Sequence, residues 1–129
     1  MLDIKVEQQP EGRVRVALTG RLDTNTHAEC EQRLRPLLNP ATRVLVFDLT
    51  HLDYLSSMGL RVLMVVSKTL SAQGGKCLLT NLQPPIKAVI EIANALPREA
   101  VFASVEEADR YLDVMQRRAR DTGSTASTL

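Results

Sequence analysis

Apolar and polar residues alternate twice near the amino terminus, at Ile4 and Val6 and again at Val14, Val16 and Leu18. A period of two belongs to a strand with one buried face, and Pro10-Glu11-Gly12 between the two runs is a turn signal. The pattern predicts a β-hairpin, with Gly20 ending its second strand and RLDTNT following as a loop. The period then lengthens. Cys30, Leu34, Leu37 and Leu38 recur at helical spacing, Thr26 and Glu29 stand at the separation of a capping box, and Asn39-Pro40 supplies a stop. Pro36 is expected to loosen the last turn of that helix.

Val44-Leu45-Val46-Phe47 is unbroken apolar sequence, which suits a strand buried on both faces; Asp48 falls at its C-terminal end and THLDYL reads as a short connection. A helix is predicted from about Ser57 to Gln73, stopped by Gly74-Gly75. Lys76 to Asn81 carries a second buried strand. Pro84-Pro85 then opens a helix with Ile86, Val89, Ile90 and Ala93 on one face. Ala100 to Phe102 is a short last strand. Ser104 and Glu107 suggest another capping box, and Ala108, Tyr111, Leu112 and Met115 form the stripe of a final helix. The tail DTGSTASTL, residues 121–129, has no periodicity and is expected to be disordered. The order β-β-α-β-α-β-α-β-α implies a single α/β domain over residues 1–120. Its sheet is mixed but mostly parallel, with about five strands covered by about four helices.

The chain has 129 residues, 44% apolar and 24% charged, with a net charge of +1. That length suits one core, and the near-neutral balance argues against a nucleic-acid partner. Aromatics make up 3% and Trp is absent, so aliphatic side chains must build the core. No apolar run is long enough to span a bilayer, and the first residues lack the basic and apolar regions of a secretory signal, so a cytoplasmic location without membrane contact is expected. Cys30 and Cys77 form no CxxC pair and read as small buried residues of a reducing compartment. His27 and His51 have no metal-ligand spacing, and there is no P-loop or GxGxxG, so neither a metal nor a cofactor is expected.

The stretch LDYLSSMGLRVLMVV, residues 52–66, is the candidate for chemistry. Two hydroxyls stand where a strand-like approach meets a long helix. Ser56 is a plausible N-cap, accepting a bond from an N–H of the first turn. Ser57 would then occupy the first helical position with its hydroxyl free. A helix N-terminus favours negative charge by about 0.3–1 kcal/mol, so a phosphate there is compatible with the fold. It would also confront any protein docked over that turn. Plain capping and a phosphorylation switch both fit the residues. Gly59 either makes room for a close approach or is simply tolerated near the helix end.

DYLSSMGLRVLMVVSKTL resembles the signature of STAS domains of the bacterial anti-sigma factor antagonist family, in which Asp-Ser or Ser-Ser, one residue and Gly-Leu open a helix after a strand. LTGRLDTNTHAE, residues 18–29, resembles the family's other motif, a strand followed by Gly-x-Leu-Asp and a Thr-containing helix start. The resemblance extends over about residues 3–116. It implies partner switching. The unphosphorylated antagonist binds an anti-sigma factor that is also a GHKL-type serine kinase, phosphorylation of the antagonist breaks the complex, and a PP2C-type phosphatase restores it. Transferred to this chain, the phosphorylated serine is Ser57, with Ser56 the alternative. The partner-binding residues are Asp23, Thr24, Ser56, Ser57, Met58 and Gly59. Many phosphorylated members carry Asp where this chain has Ser56, which removes a negative charge beside the hydroxyl. Met58 either packs on the partner or folds back on the domain.

A second function consistent with the resemblance is a non-switching STAS subunit of a transporter complex or signalling scaffold. Catalysis is not expected, because a Ser57 nucleophile would need a base, GxSxG is absent and only His27 and His51 are available. Self-association is left open by the sequence.

Overall fold

The computed structural model describes residues 1–93, 101–102 and 110. The alternating runs form the predicted hairpin: β1 (Leu2–Gln8) pairs antiparallel with β2 (Arg13–Leu22), and a 3-10 turn over Pro10–Gly12 joins them. Then follow α1 (His27–Leu34), β3 (Val44–Leu55), α2 (Ser57–Ala72), β4 (Lys76–Thr80), α3 (Pro84–Ala93) and β5 (Val101–Phe102). The five strands lie in the order β1-β2-β3-β4-β5, and every pairing after the hairpin is parallel. This is the mixed, mostly parallel sheet that alternating strand and helix patterns require. Of the expected last helix, Arg110 is described, helical and exposed; the rest of it and the tail lie outside the described residues.

Among the described residues the core is aliphatic apart from Phe47 and two thiols. Val16, Leu18 and Leu22 of β2, Leu45, Phe47, Leu49 and Leu52 of β3, Leu34 of α1, Leu63 and Leu70 of α2 and Ile86 of α3 form one cluster. Val44, Val46 and Leu78 are buried outside that cluster, so the middle strands are covered on both faces, as the unbroken apolar run predicts. Cys30 and Cys77 are buried and free. Burial pushes both thiols up to about 12, with the charges of Glu29 and Glu31 adding to the effect at Cys30. A thiol must ionise to react, so neither Cys is expected to react with a disulfide reagent in the native protein at pH 8. Both should titrate once denaturant unfolds the chain, and rapid native labelling would contradict this.

Four boundaries differ from the sequence expectation, one of them the end of α1, which stops at Leu34 instead of running to Asn39-Pro40. β3 runs on to Leu55 and takes in the stretch read as a connection. It stays paired with β2 through two register irregularities, at Ala17/Thr19 and at Gly20/Arg21, and Leu49, Leu52 and Leu55 remain buried at a spacing of three. Irregularities of this kind break the period of two by which a strand is recognised. Gly20 lies inside β2 instead of ending it. Its φ is +106°, and a Cβ there would lie 2.3 Å from the Met1 carbonyl oxygen, so the position accepts only glycine. The third difference is at the start of α1, where no Thr26 capping box forms and the Thr26 side chain caps nothing in the helix. α1 itself ends at Leu34, where the turn over Arg35–Leu37 tightens around Pro36. The helix stop at Gly74-Gly75 behaves as predicted: Gly74 has φ +82°, the Gly75 N–H donates to the Leu70 carbonyl at 2.7 Å, and that of Gly74 donates to Ser71 at 3.1 Å.

Candidate functional site

β2 and β3 are parallel neighbours, so their carboxyl ends deliver the two motifs to the same edge of the sheet, where functional loops of open α/β folds collect. The final register pair is Leu22 with Leu55, both buried. The Leu22 carbonyl then accepts the Ser56 N–H at 3.0 Å, tying the start of α2 to the end of β2. Gly59 closes the same joint. A Cβ at Gly59 would stand 2.4 Å from the Leu22 carbonyl oxygen and 2.8 Å from Leu22 Cγ. Of the two sequence readings of Gly59, the close approach is the one observed, and the approaching group belongs to the chain itself.

Beyond Leu22 the chain folds into a tight knot. Asp23 Oδ1 accepts from the N–H groups of Asn25 at 2.9 Å and Thr26 at 3.2 Å, and the Asp23 carbonyl accepts from the His27 N–H at 2.9 Å. Thr26 is buried. Its hydroxyl accepts from the Asp23 N–H at 2.9 Å and donates to the Arg21 carbonyl at 2.8 Å. Asp23, three residues earlier than expected, therefore organises the entry to α1, and the Thr26 hydroxyl is used to fix Asp23. The backbone N–H of Asn25 is the main cause of the lowered Asp23 pKa; hydrogen bonds from Thr26 and Arg21 assist against some desolvation. At neutral pH Asp23 is a fixed negative charge beside the exposed Thr24.

The two serines divide their work. Ser56 is the N-cap of α2, in extended conformation, with its Oγ accepting the Gly59 N–H at 3.1 Å. Its carbonyl accepts the Leu60 N–H at 2.8 Å. The Ser57 and Met58 N–H groups have no protein partner among the described residues, as helix geometry requires of a first turn. Ser57 is exposed, and Ser56 and Met58 are half-buried. The partly buried side chains that pack against the core are Leu38, Met64, Leu82 and Val89, so Met58 is not among them. The six residues singled out from sequence, Asp23, Thr24, Ser56, Ser57, Met58 and Gly59, all lie on the two segments that meet at Leu22. His27 is half-buried at the start of α1 and His51 is exposed.

Sequence reasoning missed two neighbours. Arg21 and Tyr54 are register partners on β2 and β3, and the Arg21 guanidinium stacks 4.2 Å from the Tyr54 ring centroid. Recognising the pair requires knowing that β3 extends past Asp48. It also missed the brace at the other end of that extension. Burial opposes ionisation of Asp48. Hydrogen bonds from Thr50 and Asn81 to its Oδ1 outweigh that and hold its pKa below the ordinary 3.8. Asn81 adopts φ +57° to reach it. A depressed folded pKa means that the unfolded chain takes up its proton first as pH falls. The stability contributed by Asp23 and Asp48 is thus present above about pH 3.8 and lost as pH falls through their folded values. Asp48→Asn should flatten the acid limb of a stability-versus-pH curve below pH 5, read by urea denaturation; an unchanged limb would contradict this.

The chain belongs to the STAS domain family, which matches residues 3–108. A Bordetella bronchiseptica protein named "Putative anti-sigma factor antagonist BtrV" is 34% identical over 98 residues, covering 76% of this chain and 84% of its own. The anti-sigma factor antagonist SpoIIAA in its unphosphorylated form superposes with a TM-score of 0.75 at 18% identity, over 86% of this chain and 96% of its own. SpoIIAA of Bacillus has also been solved in the phosphorylated form, with a TM-score of 0.70 at 19% identity, over 85% of this chain and 99% of its own. The murine Solute Carrier 26 family member A9 anion transporter contains the same fold, with a TM-score of 0.71 at 18% identity, over 83% of this chain and 18% of its own. Among the described residues no helix is long and apolar enough to cross a membrane, and no group of three or more His, Cys, Asp and Glu is placed to hold a metal ion.

Proposed function

We propose that this chain is an anti-sigma factor antagonist that binds a GHKL-type anti-sigma factor/serine kinase when unphosphorylated and is released when Ser57 is phosphorylated. The observation that carries the reading is the division between the serines. Ser56 is engaged as the cap, whereas Ser57 is an exposed residue on the first turn of α2. In the transfer, Ser57 Oγ attacks the γ-phosphorus of ATP, its proton passes to a base on the kinase, and the bond to the departing ADP breaks. The product carries a charge of about −1.5 to −2 near two N–H groups without a protein partner, so the host fold accommodates it. A partner seated over Ser57, Met58 and the Asp23 loop meets that charge directly. Asp23 and Thr24 contribute to the same contact surface, and a PP2C-type phosphatase hydrolyses the ester to reset it. The relative's name supports the antagonist part of this reading, and SpoIIAA, which shares the fold, is a protein solved in a phosphorylated form.

The test is incubation of the full chain with each GHKL-type kinase of the same genome and ATP, followed by mass spectrometry of the peptide spanning residues 52–66. One phosphate on Ser57, absent in Ser57→Ala, supports the proposal. A phosphate on Ser56 moves the switch by one residue. No phosphate with any kinase, together with co-purification in a membrane transport complex, would favour the non-switching subunit suggested by the transporter neighbour.

A further inference from the structure

Arg21 and Tyr54 face each other across the last stretch of β2 and β3, one register position before the buried pair Leu22 and Leu55. Two of the chain's aromatics are Phe and two are Tyr, and in a protein so poor in rings Tyr54 still stands 42% exposed. The Arg21 side chain is 54% exposed. Its guanidinium carbon lies over the Tyr54 ring, 4.2 Å from the centroid, and its Nε is 3.5 Å from Asp23 Oδ2. Among the described residues its two Nη groups have no protein partner. A guanidinium held by stacking on one face and by a carboxylate at Nε offers its remaining edge as a planar fork. That shape matches a second carboxylate, and a pre-placed side chain loses less entropy on capture than a free one. Tyr and Arg are also among the residue types that dominate protein interfaces.

We infer that Arg21 and Tyr54 form one contact of the docking surface and select the partner: the Arg21 Nη edge takes an Asp or Glu carboxylate of the anti-sigma factor bidentately, while an apolar side chain covers the Tyr54 ring. The inference rests on the partner-switching function proposed above. It adds a site that neither motif contains alone, since Tyr54 meets Arg21 only because β3 continues to Leu55. Asp23 holds Arg21 from the other side, so the knot that positions the loop also aims the fork.

The experiment measures binding of the unphosphorylated full chain to the kinase that modifies Ser57, for the wild type, four single variants and one double variant. Arg21→Gln should weaken binding about 10- to 100-fold. Arg21→Lys should weaken it nearly as much, because an ammonium keeps the charge but loses the fork. Tyr54→Phe should bind as the wild type does. Tyr54→Leu should lose about threefold or more, and its loss should overlap with that of Arg21→Gln in the double variant. Melting temperatures of all four single variants should stay within a few degrees of the wild type. Full binding by Arg21→Gln overturns the inference, and full binding by Arg21→Lys overturns the bidentate contact in favour of a bare charge. If the wild type binds the kinase and the variants bind equally well, only this inference fails. If the wild type binds no kinase, the proposed function fails and this inference fails with it.

Discussion

Gly59→Ala is expected to lower the melting temperature by about 10 °C, a loss of about 2 kcal/mol for a domain of this size. The expected sign runs against helix propensity, since Ala is favoured over Gly inside a helix by about 1 kcal/mol. Geometry decides the outcome. The added methyl would stand 2.4 Å from the Leu22 carbonyl oxygen, and the atom it meets is backbone that is also bonded to the Ser56 N–H. Relief requires α2 to move away from β2, which stretches that hydrogen bond and opens a gap beside Leu22 and Leu55. Chemical denaturation of the variant measures the cost. A gain in stability would show that the helix end shifts freely and that the two motifs are not rigidly joined.

The second large effect is functional. Ser57→Asp should weaken the complex with the kinase by about 100-fold or more, because a charge placed against a docked protein costs several kcal/mol. The same substitution should leave the melting temperature within a few degrees, since Ser57 is exposed and a carboxylate near a helix N-terminus is weakly favourable. Ser56→Ala provides the opposite pattern. It removes the bond to the Gly59 N–H and is expected to cost about 1 kcal/mol of stability while leaving Ser57 available. Calorimetric titration and thermal melts of the two variants separate a charge effect from a capping effect. A Ser57→Asp protein that binds normally would remove Ser57 from the interface.

Much of this arrangement was legible in the sequence. The hairpin, α2 with its Gly74-Gly75 stop, the buried middle strands and the opening of α3 at Pro84 follow from periodicity and from residues with few permitted conformations. Both motifs were recognisable, and together they specified the STAS family. What could not be read was anything set by contact between distant segments. The far half of β3 breaks alternation at two irregularities, so a connection was the natural reading of THLDYL. Thr26 and Glu29 have the spacing of a cap. The loop is instead organised by Asp23, whose carboxylate takes the N–H groups of Asn25 and Thr26 ahead of the helix, and only the folded backbone shows that arrangement. Gly20 looks like a strand end, whereas its role is to admit the Met1 carbonyl. The Arg21–Tyr54 stack depends on both the register and the extension, and neither motif alone contains it.

The joint at Leu22 bears on how such domains could be rewired. One main-chain oxygen receives the Ser56 amide and sets the closest approach of Gly59, so the loop after β2 and the first turn of α2 form a single mechanical unit. A chimera carrying residues 52–66 of another family member on this scaffold would inherit a foreign turn seated on a native carbonyl. Transplanting residues 18–29 together with it should preserve the seat, so exchange of recognition between paralogues is expected to succeed for the paired segments and to fail for either one moved alone.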